Sequence, residues 1–172
     1  MIDLTNEALP DTITVNGRVF PIKTDFRAWL RFARCVQEAG ADLGFLFPAS
    51  IPPQCPETME AVAGFFVNPN PCPAHEGADG EPVFDYDADS EYIYAAFRQQ
   101  YGLDLTAAHL HWHQFKALFL GLTDATRLVQ IMQARGYEGR DKGLLESRRL
   151  WALPVRYTAE ERRRIDEFNA LF

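Results

Sequence analysis

Residues 12–22, T-I-T-V-N-G-R-V-F-P-I, carry the strongest short-range signal in the chain. Ile13 and Val15 alternate with threonines, and Asn16-Gly17 suits the two positive φ angles of a type I′ turn. A two-stranded hairpin is marginal by itself. This one must therefore lie on helices or pair with another chain, and the chain beyond Ile22 reads with the helical period.

Thr24 or Asp25 caps a helix that runs to about Ala39 and is ended by Gly40. Its apolar stripe is Phe26, Trp29, Leu30, Ala33 and Val36, with Arg27, Arg31 and Arg34 on the other side. A Pro-rich connector leads to a short helix from about Glu57 to Val67. Residues 68–84, N-P-N-P-C-P-A-H-E-G-A-D-G-E-P-V-F, are too rich in Pro and Gly for regular structure. A loop of that length is either functional or mobile.

Asp87 or Asp89 opens the next helix, with Ile93, Ala96, Phe97 and Tyr101 inward and Gly102 as its stop. Thr106 caps another to about Leu122, Thr123 caps one to Arg135 before Gly136, and a fourth covers roughly 141–152 before Pro154. Thr158-Ala-Glu-Glu161 is a capping box that starts a last helix. The expected fold class is mainly α: a helical domain of about six or seven helices with an N-terminal β-hairpin. Residues 1–154 read as that domain and 155–172 as a C-terminal helix.

The chain has 172 residues, and 47% hydrophobic with 13% aromatic is ample for one core and excludes a disordered chain. The formal charge of −7 argues against nucleic acid and anionic membrane as partners. It is unevenly spread: residues 1–126 carry −10 and residues 127–172 carry +3. Opposed fields of this kind favour head-to-tail self-association or an acidic partner. Three cysteines without a framework spacing, a start lacking a signal-peptide pattern and no apolar run of about 20 residues point to a reducing cytosol and no membrane.

Several constellations invite chemistry and are read more simply. His109 and His113, on the expected helix, have the spacing of a zinc pair, but Lys116 lies beside both and the helix offers no acidic third ligand. His111 falls in the apolar arc and is expected to be a buried core histidine. Cys72-Pro-Ala-His75 with Cys55 lacks a fourth ligand and a known finger spacing. Asp85, Asp87, Asp89 and Glu91 alternate like a calcium loop, but Ser90 stands where its glycine belongs, and the acids read as helix capping. Arg27, Arg31 and Arg34, and Arg162-Arg163-Arg164, read as solvated or protein-facing surfaces.

No phosphate loop, nucleophile elbow or His-Glu-x-x-His pattern is present. The expectation is a non-enzymatic protein with no catalytic, cofactor or metal residues. Its candidate partner-binding residues are Ile165, Phe168, Leu171 and Phe172, a narrow apolar line in a charged terminal helix. The hairpin edge is a second place where another chain can add a strand.

Residues 83–122 are more distinctive. D-x-x-Y-I-Y-A-A-F from Asp89, Q-Q-Y-G-L-D-L from Gln99 and L-H-W-x-x-F-K-A-L from Leu110 follow in order. With the opening L-P-D-T-I-T-V-N-G-R-V-F-P-I-K-T-D-F-R and with Ile131-Met132-Gln133-Ala134-Arg135, they resemble a family of small bacteriophage proteins known as gp-fifteen, over most of residues 8–136. Family members often carry a second aromatic after the tryptophan, where this chain has His113.

The resemblance implies a phage or prophage gene near that of the tape-measure protein, and a protein acting in the bacterial host cytoplasm. It implies a tail-assembly chaperone or accessory factor. The partners implied are the tape-measure protein or a second assembly chaperone, with self-association as a further option. A structural virion component, such as a tail-tube or connector subunit, is the alternative, and a His-dependent metal enzyme is a third.

Overall fold

A computed structural model describes residues 8–36, 42–67 and 81–155, together with a few single positions outside those ranges. Among the described residues are a β-hairpin and six α-helices, so the fold is mainly α. The expected helix over 158–172, most of the 68–84 loop and the end of the first helix beyond Val36 lie outside the described residues.

The hairpin pairs β1 (Thr12–Val15) with β2 (Arg18–Pro21), and Val15 faces Arg18 across the turn. Asn16 and Gly17 have φ of 49° and 75°, as a type I′ turn requires. Ile13 and Val15 are buried while Thr12 and Thr14 are exposed, and β1 packs on a helix. The marginal sheet is thus held by a helix, the first of the two options its sequence left open.

The helices are α1 (Phe26–Cys35), α2 (Pro56–Phe66), α3 (Ser90–Tyr101), α4 (Trp112–Leu120), α5 (Arg127–Arg135) and α6 (Lys142–Leu150). Asp25 caps α1, its carboxylate accepting from the Arg27 backbone N–H. Pro56 stands in the first turn of α2, where its missing N–H costs nothing, and Gly102 ends α3 in the left-handed region.

Two helix starts differ from expectation. The Asp104 carboxylate accepts from the Thr106 N–H (2.9 Å) and hydroxyl (2.6 Å), closing a local turn that competes with helix. The chain then runs extended to His111, where an antiparallel bridge pairs it with Asp25. Phe26 N–H donates to Leu110 C=O and Trp112 N–H to Thr24 C=O. Hence α4 begins at Trp112 and not at Thr106. Similarly, Thr123 gives its N–H and hydroxyl to the Gln100 side chain, and α5 starts only after Thr126.

The core is aromatic. Phe115 is fully buried, with Phe26 stacked at 4.9 Å and Phe97 at 5.1 Å between ring centres. Trp29 stacks on Phe65 at 4.8 Å and Trp112 on Phe66 at 5.1 Å. Such offset stacks add about 0.5–1.5 kcal/mol each beyond the burial of their area. They join α1, α2, α3 and α4 around one centre.

Candidate binding groove

The motif residues hold elements together. Asp89 is 1% exposed and meets the guanidinium of Arg135 end to end, at 2.6 Å and 2.8 Å. Arg135 also donates to the carbonyls of Val83 and Trp151, and Asp89 accepts from the Asp85 N–H. Every oxygen and nitrogen of the pair is engaged, as a buried ion pair requires. Asp89 stands at the N-cap of α3, as expected, but its carboxylate is turned to Arg135 and caps no backbone N–H of that helix. Asp85 does cap, accepting from the N–H groups of Asp87 and Ala88 in the turn before α3.

Gln99, Gln100 and Tyr101 donate to the carbonyls of Ala125, Gly121 and Leu118, stitching the end of α3 to the α4–α5 connection. Lys116 does the same for α2. Its ammonium lies 2.7 Å from Phe66 C=O and 3.0 Å from Val67 C=O, and Trp112 Nε1–H also donates to Phe66 C=O. These carbonyls end α2 and favour a cation. Burial pushes Lys116 down to about 8.

The histidines exchange their expected places. His111 is the N-cap of α4: its Nδ1 accepts from the His113 N–H while its own N–H donates to Gln114, completing a capping box. Its Nε2 lies 2.9 Å from Pro10 C=O, and since a carbonyl only accepts, His111 is the neutral Nε2–H tautomer. Burial lowers its pKa, in agreement with that tautomer.

The buried histidine is His113, 5% exposed, with Phe65 4.7 Å away between ring centres. Its Nδ1 has no hydrogen-bond partner among the described residues, and burial pushes its pKa down to about 3. His109 is exposed and precedes α4, so it shares no helix face with His113. Among the described residues no three His, Cys, Asp or Glu side chains are grouped to hold a metal. Cys72 and His75 lie outside the described residues, and Cys55 contacts Thr58 at 3.3 Å.

The α1 arginines are tied down as well. Arg27 donates to the carbonyls of Leu105, Thr106 and Ala108; Arg31 covers the Phe45 ring; Arg34 pairs with Asp87 at 2.7 Å. All three remain solvent-exposed while making these contacts within the chain. Of the four candidate partner-binding residues, Phe168 is 61% exposed, and Ile165, Leu171 and Phe172 lie outside the described residues. Arg163 and Arg164 are exposed.

A different surface emerges. The apolar stripe of α1 divides: Phe26 and Trp29, with Phe32, enter the core, whereas Leu30, Ala33 and Val36 line an open groove. Phe66, Pro82, Phe84 and Tyr86 form its other side, and the volume is about 670 Å³. Arg31 and Arg34 stand on one side and Asp85 and Asp87 on the other, and the Arg34–Asp87 ion pair joins the two sides. Sequence periodicity identified the stripe but not its division, because that depends on what the 82–87 segment leaves uncovered.

A family model described as Bacteriophage Gp15 protein matches residues 58–153, more than half of the chain. The chain belongs to the bacteriophage Gp15 family. No curated protein and no solved structure gives a significant match. The Gp15 match runs from α2 through α6 and so takes in both partners of the Asp89–Arg135 pair, Lys116 and the α4 cap. It starts after the hairpin and α1, which the sequence resemblance had included. No helix among the described residues is long and apolar enough to cross a membrane.

Proposed function

We propose that this Gp15-family chain is a non-enzymatic tail-morphogenesis protein that acts by binding protein. Within that role it is a tail-assembly chaperone or accessory factor for the tape-measure protein in the host cytoplasm. The groove beside α1 is the observation that carries this reading. Its floor is apolar, its rims carry both signs of charge, and Val36 at its end is 48% exposed. An amphipathic α-helix presents an apolar stripe that an apolar floor of this kind can take, with the Arg34–Asp87 pair opening to admit it. A tape-measure protein is long and helical and needs its stripes covered before tube subunits surround it.

Co-expression with the adjacent tape-measure protein tests the proposal. The partner's soluble fraction should rise several-fold with the wild-type chain and return to baseline with Ala33→Glu/Val36→Glu, whose side chains fill the groove. An unchanged soluble fraction sinks the chaperone reading. Mass spectrometry of mature particles separates the alternative, because a chaperone is absent from them and a tail-tube or connector subunit is present.

A further inference from the structure

Asn16 and Gly17 carry, besides the hairpin turn, the two groups of an intramolecular reaction. A side-chain amide followed by glycine can close a five-membered imide, because glycine has no side chain to hinder its N–H. Of the five asparagines in the chain, only Asn16 precedes a glycine. Asn68 and Asn70 precede prolines, which lack an N–H, and Asn6 and Asn169 precede Glu7 and Ala170, whose side chains stand in the way.

The fold presents this pair to solvent. Asn16 and Gly17 are both exposed, and a Cβ built on Gly17 meets nothing within 4 Å. Val15 and Arg18 pair across the loop, so the Gly17 N–H stands outside the ladder. No hydrogen bond engages the Asn16 side chain among the described residues. The same turn holds the reaction back. In a type I′ turn with φ of 49° and 75°, Gly17 N lies on the far side of the Asn16 Cα–C bond from Cβ. Bringing it onto Cγ takes nearly a half-turn about that bond, which the closed loop does not allow. Opening the loop means parting β1 from β2, and β1 is held on α2 by buried Ile13 and Val15.

We infer that Asn16 is a spontaneous modification site gated by the docking of the hairpin on α2. When the loop opens, Gly17 N gives up its proton and bonds to Asn16 Cγ; the Cγ–Nδ2 bond breaks and Nδ2 leaves as ammonia. Water then adds across the imide, its hydroxyl going to one carbonyl carbon and its proton to the ring nitrogen. Addition at Cγ leaves aspartate on an unchanged backbone. Addition at the main-chain carbonyl leaves isoaspartate, whose backbone runs through Cβ and is one methylene longer. Aspartate tolerates the left-handed region much as asparagine does, so the first product keeps the turn. A lengthened loop does not hold Val15 opposite Arg18, and the hairpin of the second product does not re-form in register. The conversion records how long a chain has spent with its hairpin undocked, independently of the groove and of the tape-measure reading.

Ageing of the whole chain at mildly alkaline pH tests it, with peptide mass mapping as the readout. The mass gain from losing ammonia and taking up water should appear at Asn16, and Asn16→Asp should show none. Asp79-Gly80 closes the same ring only by losing water, so it returns to its own mass. The folded chain should convert at least about tenfold more slowly than the chain unfolded in guanidinium chloride. Val15→Ala should raise the folded rate on the order of tenfold and Ile13→Val should raise it less, since both loosen the hairpin on α2. Trypsin should cut the isoaspartate form after Arg18 faster than it cuts Asn16→Asp, which carries the same charge on a backbone of normal length. No gain at Asn16 in the unfolded chain, a folded chain that converts as fast as the unfolded one, hairpin variants that age like the wild type, or an isoaspartate form cut no faster would each overturn the proposal.

Discussion

His113 lies among aromatic rings. It packs on Phe65 and lies 5.0 Å from His111 between ring centres, yet its Nδ1 gains no partner among the described residues. Charging it there is unfavourable, and charging His111 removes the lone pair that caps α4. In the unfolded chain both imidazoles bind a proton near the ordinary 6.5, whereas folded His113 binds one only near 3 and folded His111 below the ordinary value. Between those limits the unfolded state holds more protons, so stability falls as pH falls from about 6.5 towards 3. His113→Phe should remove its share of that slope and keep the packing. Thermal midpoints at pH 7 and at roughly pH 4.5 measure it, and an equal acid loss in variant and wild type would refute the assignment.

Between elements, the Asp89–Arg135 pair joins the start of α3 to the end of α5 and, through Val83 and Trp151, to the segments around them. Asp89→Ala leaves a buried guanidinium without its anion and should cost about 3–5 kcal/mol in urea unfolding. Asp89→Leu with Arg135→Met should recover much of that loss, since a buried pair replaced on both sides is often near neutral. If the double variant is no more stable than Asp89→Ala, the penalty has another origin.

Element boundaries also show what a sequence carries. Asn16-Gly17 between alternating residues identifies the hairpin because turn chemistry and period 2 are local. Asp25, Gly102 and Gly136 mark helix ends for the same reason. Thr106 misleads because Asp104 captures its hydroxyl and residues 24–26, far away in sequence, claim 110–112 for a bridge. The groove was half legible: the stripe Leu30–Ala33–Val36 is periodic, but which of its residues the other described segments leave uncovered is a property of the assembled chain. Asp89 and Arg135 stood in recognisable motifs without revealing that they meet.

For the whole molecule, the family match leaves out residues whose side chains complete the core. Trp29 and Phe26 stack on Phe65 and Phe115, and Ile13 and Val15 rest on α2. A fragment comprising residues 58–153 should therefore lack a cooperative thermal transition and bind a hydrophobic dye. A sharp transition for the fragment would show that the hairpin and α1 are appended and not integral.

The bridge between Asp25 and His111 also bears on biosynthesis. Translation delivers the hairpin and α1 long before α4, so Phe26, Trp29 and Phe32 leave the ribosome with their covering rings still unmade. Phe65 and Phe66 can cover Trp29 and Phe32 once α2 is made, but Phe26 stays bare until Phe115 follows. Closure of the core waits for Trp112 and Phe115, so the hairpin and α1 must stay unpacked on that side until two thirds of the chain has been made.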